Sequence, residues 1–151
     1  MQNEIGAGAI CFGPARFPFE WEAMRLIRNS CREFMTRDTR EITEDEQAAW
    51  VEGLDRADCC PCLLFVTGEP IGYALLRKEG EQWWVSGGLL PQWRGKGWGT
   101  ALFTLLLLKA PRPVYLEVKL SNAKAVRLYA KLGFTPTKVD PDADLMVMVK
   151  L

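Results

Sequence analysis

Arg94-Gly95-Lys96-Gly97-Trp98-Gly99 separates two apolar segments of different character. Before it, Trp83 to Leu90 reads as a strand; after it, about Gly99 to Lys109 reads as a buried helix ended by Pro111 and Pro113. Three glycines at alternating positions on such a junction let the backbone close on a ligand with several amides pointing inward. The first-turn amides of the following helix, through Thr100, add unpaired donors and a partial positive charge. A junction of this kind suits a phosphate group.

Two other phosphate motifs fail on named residues. A Walker loop around Gly95-Lys96 needs glycine where Leu90 stands and Ser or Thr where Gly97 stands, and a dinucleotide fingerprint starting at Gly95 needs its third glycine where Thr100 stands. The plain structural alternative is a glycine-rich turn that holds nothing.

Outward from this stretch, the elements read in both directions. Toward the N-terminus, Cys62 to Thr67, Ile71 to Leu76 and Trp83 to Leu90 form a strand meander broken at Gly68-Glu69-Pro70 and Gly80. Residues 20–54 read as two helices joined by a polar segment: Trp21, Met24 and Ile27, with Leu26, follow a helical spacing, and Thr43-x-x-Glu46 is a capping box. One short strand is expected near Ala9 to Phe12 or Arg16 to Phe17. Toward the C-terminus come strand Val114 to Lys119, helix Asn122 to Leu132 stopped by Gly133, and strand Leu145 to Val149, with room for one more strand after Phe134. The expected order is β-α-α-β-β-β-α-β-α-β, a mixed α/β (α+β) unit with a central sheet of six to seven strands and about four helices. No repeat, low-complexity tract or linker divides the chain, so residues 1–151 are expected to form one domain.

Composition narrows the partners. The chain has 151 residues, 48% hydrophobic and 25% charged, which suits one globular core. Nineteen basic and nineteen acidic residues cancel, leaving no net field for nucleic acid or an anionic membrane. The longest apolar stretch, Ala101 to Leu108, falls far short of the roughly 18 residues that span a bilayer. Met1-Gln2-Asn3-Glu4 lacks a basic segment followed by an apolar one, so no secretory signal and a cytoplasmic location are expected. There is no histidine, which excludes histidine triads, histidine metal sites and a histidine base. Of five cysteines, Cys59, Cys60 and Cys62 cluster around Pro61, but no second ligand pair accompanies them, so reduced thiols at a strand start are expected and a metal is not.

Arg94-x-x-Gly97-x-Gly99 resembles the Arg/Gln-x-x-Gly-x-Gly/Ala signature of the GNAT acetyltransferase superfamily. Asn122-x-x-Ala125-x-x-x-Tyr129-x-x-x-Gly133-Phe134 is similar to the second block of that family, and the likeness covers residues 62–134. The resemblance implies a GNAT fold, with acetyl-CoA as cosubstrate and its pyrophosphate held by the loop amides of Arg94, Gly95, Lys96, Gly97, Trp98, Gly99 and Thr100. It further implies that the fourth strand splays from the fifth, freeing main-chain groups of Leu89 and Leu90 for the pantetheine arm, and that an amide near Leu89 polarises the thioester carbonyl.

Acetyl transfer to a primary amine requires a neutral nucleophile, stabilisation of an oxyanion and a proton for the leaving thiolate. Periodicity alone reads Tyr129 as a core aromatic on the stripe of Ala125, Leu128 and Leu132, whereas the resemblance makes it the general acid. Asn122 either caps its helix or bonds the pantetheine amide. Leu116-Glu117-Val118 with Asn122 and Tyr129 resembles the ribosomal-protein alanine N-acetyltransferases, which implies Glu117 as base; a solvated strand carboxylate and a water relay are the alternatives, and Glu79 and Glu81 near a turn are weaker candidates.

The N-terminal segment departs from that subfamily. Ile27-Arg28-Asn29 with Arg32, Phe34 and Met35 is instead similar to enzymes that acetylate amino sugars on nucleotides. Arg25, Arg28, Arg32, Arg37 and Arg40 either bind an anionic acceptor or are solvated. The acceptor is thus a small-molecule or peptide amine; neither nucleic acid nor a membrane is an expected partner. Trp83 and Trp84 place one indole on each face of a strand, and an exposed one would mark a homodimer interface. The competing functional classes are a non-catalytic acyl-CoA sensor or assembly module and an ATP-binding domain.

Overall fold

The computed structural model describes residues 10–151. Its centre is the meander expected from the sequence: β2 (Cys59–Val66), β3 (Glu69–Glu79) and β4 (Gln82–Leu89) pair antiparallel. β1 (Ile10–Pro14) joins the free side of β2. It coincides with the first of the two N-terminal expectations, with Ala9 outside the described residues; Arg16 and Phe17 lead instead into α1 (Pro18–Ser30). Pro18 opens that helix, and the Glu20 carboxylate accepts the N–H groups of Arg16 and Phe17 at 2.8 and 2.9 Å. α2 (Glu44–Glu52) starts on the Thr43–Glu46 capping box, each side chain accepting the other residue's N–H.

The C-terminal half contributes α3 (Trp98–Leu107), β5 (Val114–Val118), α4 (Ala123–Lys131), β6 (Thr135–Asp140) and β7 (Leu145–Lys150). The seven strands lie in the order β1-β2-β3-β4-β5-β7-β6. β6 is the additional strand after Phe134. It is almost wholly exposed, an edge strand of Thr, Pro, Lys and Asp whose pattern carries little apolar signal.

Both sheet faces are covered. Leu102, Phe103 and Leu106 of α3 and Tyr129 of α4 pack with Cys62, Leu64, Ala74, Leu76 and Val85 on one face; Met24 and Ile27 of α1 pack with Leu63 and Tyr73 on the other. That is why β2 and β3 read as continuous apolar runs rather than as alternating patterns. Leu26, off the Trp21-Met24-Ile27 stripe, is 52% exposed. Among the described residues no helix is long and apolar enough to cross a membrane.

Among the described residues β4 and β5 are the only parallel neighbours, and they pair only at Trp83 with Val114 and Trp84 with Tyr115. Beyond Trp84 the strands part. Leu90 N–H still donates to Ile71 O on the β3 side at 2.9 Å. Alternation along an antiparallel ladder therefore turns the peptide groups of Gly87 and Leu89 away from β3, into the gap.

Candidate active site

The gap opens into a cavity of about 290 Å³ bounded by Gly87 to Leu89, the glycine loop, the first turn of α3 and the inner side of α4. Gly95 and Gly97 adopt φ of +74° and +90°, the left-handed region that a side chain would strain. Gly97 is the N-cap of α3, so the loop hands the chain directly to the unpaired amides of that helix. Gly99 fits for a different reason: a Cβ there would lie 3.3 Å from Leu128, filling the space between α3 and α4.

Of the residues expected to hold a coenzyme, Leu89, Arg94, Gly95, Gly97, Gly99, Thr100 and Asn122 line this cavity. Leu90, Lys96 and Trp98 are not among its lining residues, although the main-chain amides of Lys96 and Trp98 lie between lining glycines of the loop. Leu90 N–H is spent on Ile71 and its side chain packs toward the α1 core. Lys96 Nζ donates to Gln92 O at 3.0 Å, and Trp98 stands edge-on to Trp93 with centroids 6.1 Å apart.

The Arg94 side chain is a brace: Nε donates to Leu89 O at 3.1 Å, and an Nη atom donates to Ser30 O at 3.0 Å, tying the loop to the end of α1. Asn122 caps α4, its Oδ1 accepting from Ala125 N–H at 3.4 Å. Tyr129 lines the same cavity, only 9% exposed, with its ring edge-on to Phe103 and Phe134 at 5.1 and 6.0 Å. Burial pushes its hydroxyl above the ordinary phenol range, so it holds its proton. The core-aromatic reading and the cavity-lining reading therefore describe the same side chain.

Gly87 and Gly88 belong to this cavity and are not among the sequence-derived candidates. A Cβ on Gly87 would meet Tyr73 O at 2.6 Å, and one on Gly88 would meet Cys31 Sγ at 2.6 Å. Adjacent glycines inside a strand signal close backbone approach, and that was the available clue. Cys31, buried at the end of α1, donates to Leu89 O at 3.3 Å.

A second cavity, of about 440 Å³, lies under α1, α2 and the segment joining them. β4 is the shared wall: Val85 and Ser86 line this cavity, and Gly87 to Leu89 line the first. Glu117 opens here rather than beside Tyr129. Its Oε1 accepts from Arg37 Nε at 2.8 Å and from Thr36 Oγ1 at 3.2 Å, leaving Oε2 with no hydrogen bond among the described residues. Arg37 also donates to Glu79 at 3.0 Å and lies over the Trp84 ring at 5.9 Å. The Arg77 and Arg37 guanidinium groups hold the Glu79 carboxyl below its usual range.

The other guanidinium groups expected to meet an anion or solvent are committed within the chain. Arg25 pairs with Glu22 at 2.6 Å, Arg28 donates to the carbonyls of Asp38 and Arg40, Arg32 donates to Thr39 O at 3.0 Å, and Arg40 pairs with Asp38 at 2.9 Å. Their work is to shape the segment over the cavity. Both indoles proposed as interface markers are half-buried: Trp83 packs on the core and Trp84 on Tyr115, centroids 5.3 Å apart. All five cysteines are free thiols, Cys59, Cys60 and Cys62 lying in β2, and no cluster of three or more Cys, Asp or Glu among the described residues is placed to hold a metal.

The model of the Acetyltransferase (GNAT) family matches residues 21–134. An N-alpha-acetyltransferase of Sulfurisphaera tokodaii is 35% identical over 111 residues, 60% of this chain; the chain spans 65% of that relative's length. The ribosomal-protein-alanine N-acetyltransferase of Brucella melitensis has a TM-score of 0.77 at 19% identity, over 93% of this chain and 99% of its own. The yncA protein of Salmonella typhimurium, solved with acetyl-CoA, has a TM-score of 0.75 at 22% identity, over 93% and 91%. These solved structures share the fold of this chain, and with the family model covering most of its length the chain belongs to the GNAT acetyltransferase family.

Proposed function

We propose that residues 1–151 form one acetyltransferase domain that moves the acetyl group of acetyl-CoA to a primary amine, on a small molecule or a peptide. The observation that carries the reading is the continuity of one cavity from the free β4 edge at Leu89, through the glycine loop, to the first turn of α3, with Tyr129 in its wall. The residues present fit the coenzyme: left-handed Gly95 and Gly97 and the bare Gly99 leave room for a pyrophosphate against helix amides, and the β4 edge offers Gly87 and Leu89 to a pantetheine arm. Bound acetyl-CoA supplies an activated thioester.

The chain's own residues do the rest. Leu89 N–H polarises the acetyl carbonyl, and Arg94 and Cys31 hold Leu89 C=O, anchoring the next peptide unit at the end of the same strand. Tyr129 keeps its hydroxyl proton through burial and gives it to the departing sulfur. Glu117, through its free Oε2 or through a water relay, removes the proton of the amine entering from the second cavity. The relative of Sulfurisphaera tokodaii is named for acetylating α-amines, which favours an amine of that kind among the acceptors. Five free thiols suit a reducing compartment, consistent with a cytoplasmic setting.

Calorimetry with coenzyme A and with ATP tests the coenzyme half of the proposal. Binding of coenzyme A without ATP is the expected result; the reverse order would end it.

A further inference from the structure

Arg37 occupies the most polar corner of the acceptor cavity, and its surroundings describe a site for something else. One guanidinium contacts Glu117 at 2.8 Å and Glu79 at 3.0 Å while covering the Trp84 face. The two carboxylates are not equally dependent on it. Glu79 has a second partner, Arg77, at 2.9 Å, whereas Glu117 has no other cationic partner among the described residues. The Arg37 side chain is 52% exposed and Glu117 only 17%, so the arginine is the member free to leave.

We propose, on the acetyltransferase reading above, that Arg37 is an internal stand-in for the acceptor: a monocationic primary amine with an apolar body displaces it from Glu117 and the Trp84 face. Charge decides the count. Glu79 keeps Arg77, and Asp38 and Glu46 keep the Arg40 they share, so of these carboxylates departure of Arg37 leaves only Glu117 with no guanidinium bonded to it among the described residues. One ammonium fills that vacancy, and the second ammonium of a polyamine finds only carboxylates that already hold a guanidinium. An ammonium that lands first on the free Oε2 shares one carboxylate with Arg37, and repulsion between the two cations completes the exchange. The vacated indole face adds cation–π attraction. Beyond the polar corner the walls are Met24, Met35, Ile42, Trp50 and Leu75, which suit an aryl or alkyl body and not a sugar. The exchange delivers the amine to the carboxylate that would take its proton.

The test compares 2-phenylethylamine, spermidine and glucosamine 6-phosphate as acceptors for the wild-type chain and for Arg37→Ala. The expected result is a preference for 2-phenylethylamine, with Arg37→Ala lowering its KM about two- to fivefold as the internal competitor is removed and changing kcat little. A raised KM would make Arg37 an acceptor-binding residue, a preference for spermidine would contradict the single vacancy, and a preference for glucosamine 6-phosphate would contradict the apolar walls; each overturns the proposal. Absence of turnover with all three amines would count against the acetyltransferase reading itself. Displacement is then judged directly in the wild-type protein, by the Arg37 Nε–H nuclear magnetic resonance signal as 2-phenylethylammonium is added to the coenzyme A complex. Loss or shift of that signal supports the exchange. A signal unchanged at millimolar amine overturns it, whatever the variant does.

Discussion

Replacing Tyr129 by Phe separates packing from chemistry at one atom. The ring is 9% exposed and held edge-on between Phe103 and Phe134, contacts that phenylalanine keeps. The hydroxyl makes no hydrogen bond to the described residues, so its removal leaves no partner orphaned and relieves a partly desolvated polar group. Stability should be unchanged or higher by up to about 1 kcal/mol. For a domain of this size that is a Tm rise of at most about 4 °C. If the same hydroxyl protonates the leaving thiolate, kcat falls by about 10²- to 10⁴-fold, or about 3–5 kcal/mol of activation free energy. Thiol release from acetyl-CoA gives kcat, calorimetry gives coenzyme A affinity, and thermal melts give Tm. The combination expected is a large loss of kcat with affinity and Tm preserved. Turnover within about threefold of wild type would refute the role of Tyr129, and a lowered Tm would refute the packing argument.

Glu117→Gln keeps the shape of the side chain and removes its basicity, so kcat at neutral pH should fall about 100-fold or more; a loss under threefold assigns proton removal to a water relay. Gly87→Ala puts a Cβ 2.6 Å from Tyr73 O, a main-chain atom held in the sheet, and should cost about 1–3 kcal/mol in urea unfolding. A neutral result would mean that β4 yields there. Burial pushes the Cys62 thiol up to about 12, well above its unfolded value of about 8.5. A pKa raised on folding gives stability that is complete below the unfolded value and is lost as pH rises toward the folded one. Between pH 8.5 and 10 wild-type stability should therefore fall more steeply than that of Cys62→Ala, by up to about 1.4 kcal/mol per pH unit. Parallel pH profiles would contradict the burial of that thiol.

Local chemistry made much of the fold legible. The Thr43 capping box, the prolines after α3 and the turns at Gly68 and Gly80 are short-range signals, and each element they bound is present. β6 carries little signal in the sequence because an exposed edge strand needs no apolar pattern. At the site, the glycine loop and Tyr129 could be read because their spacing is local. What could not be read is pairing at a distance. Arg37 and Glu117 are 80 residues apart, and nothing in either neighbourhood marks the bond between them. Arginines that pattern alone leaves open to an anion prove to be committed to main-chain carbonyls of the segment between α1 and α2 or to nearby carboxylates. Leu90 differs from Leu89 only in the parity of the ladder, which depends on the register with Ile71.

Transfer of an acetyl group from acetyl-CoA to an amine is the reaction on which every role assigned to these residues depends. Incubating the protein with acetyl-CoA and a panel of peptide and small-molecule amines, while following free thiol and the mass of each amine, tests it most directly. Thiol release matched mole for mole by an acetylated amine is expected, with loss of both in Tyr129→Phe. Coenzyme A binding with no acetylated product from any amine would contradict it and leave the chain an acyl-CoA-binding module.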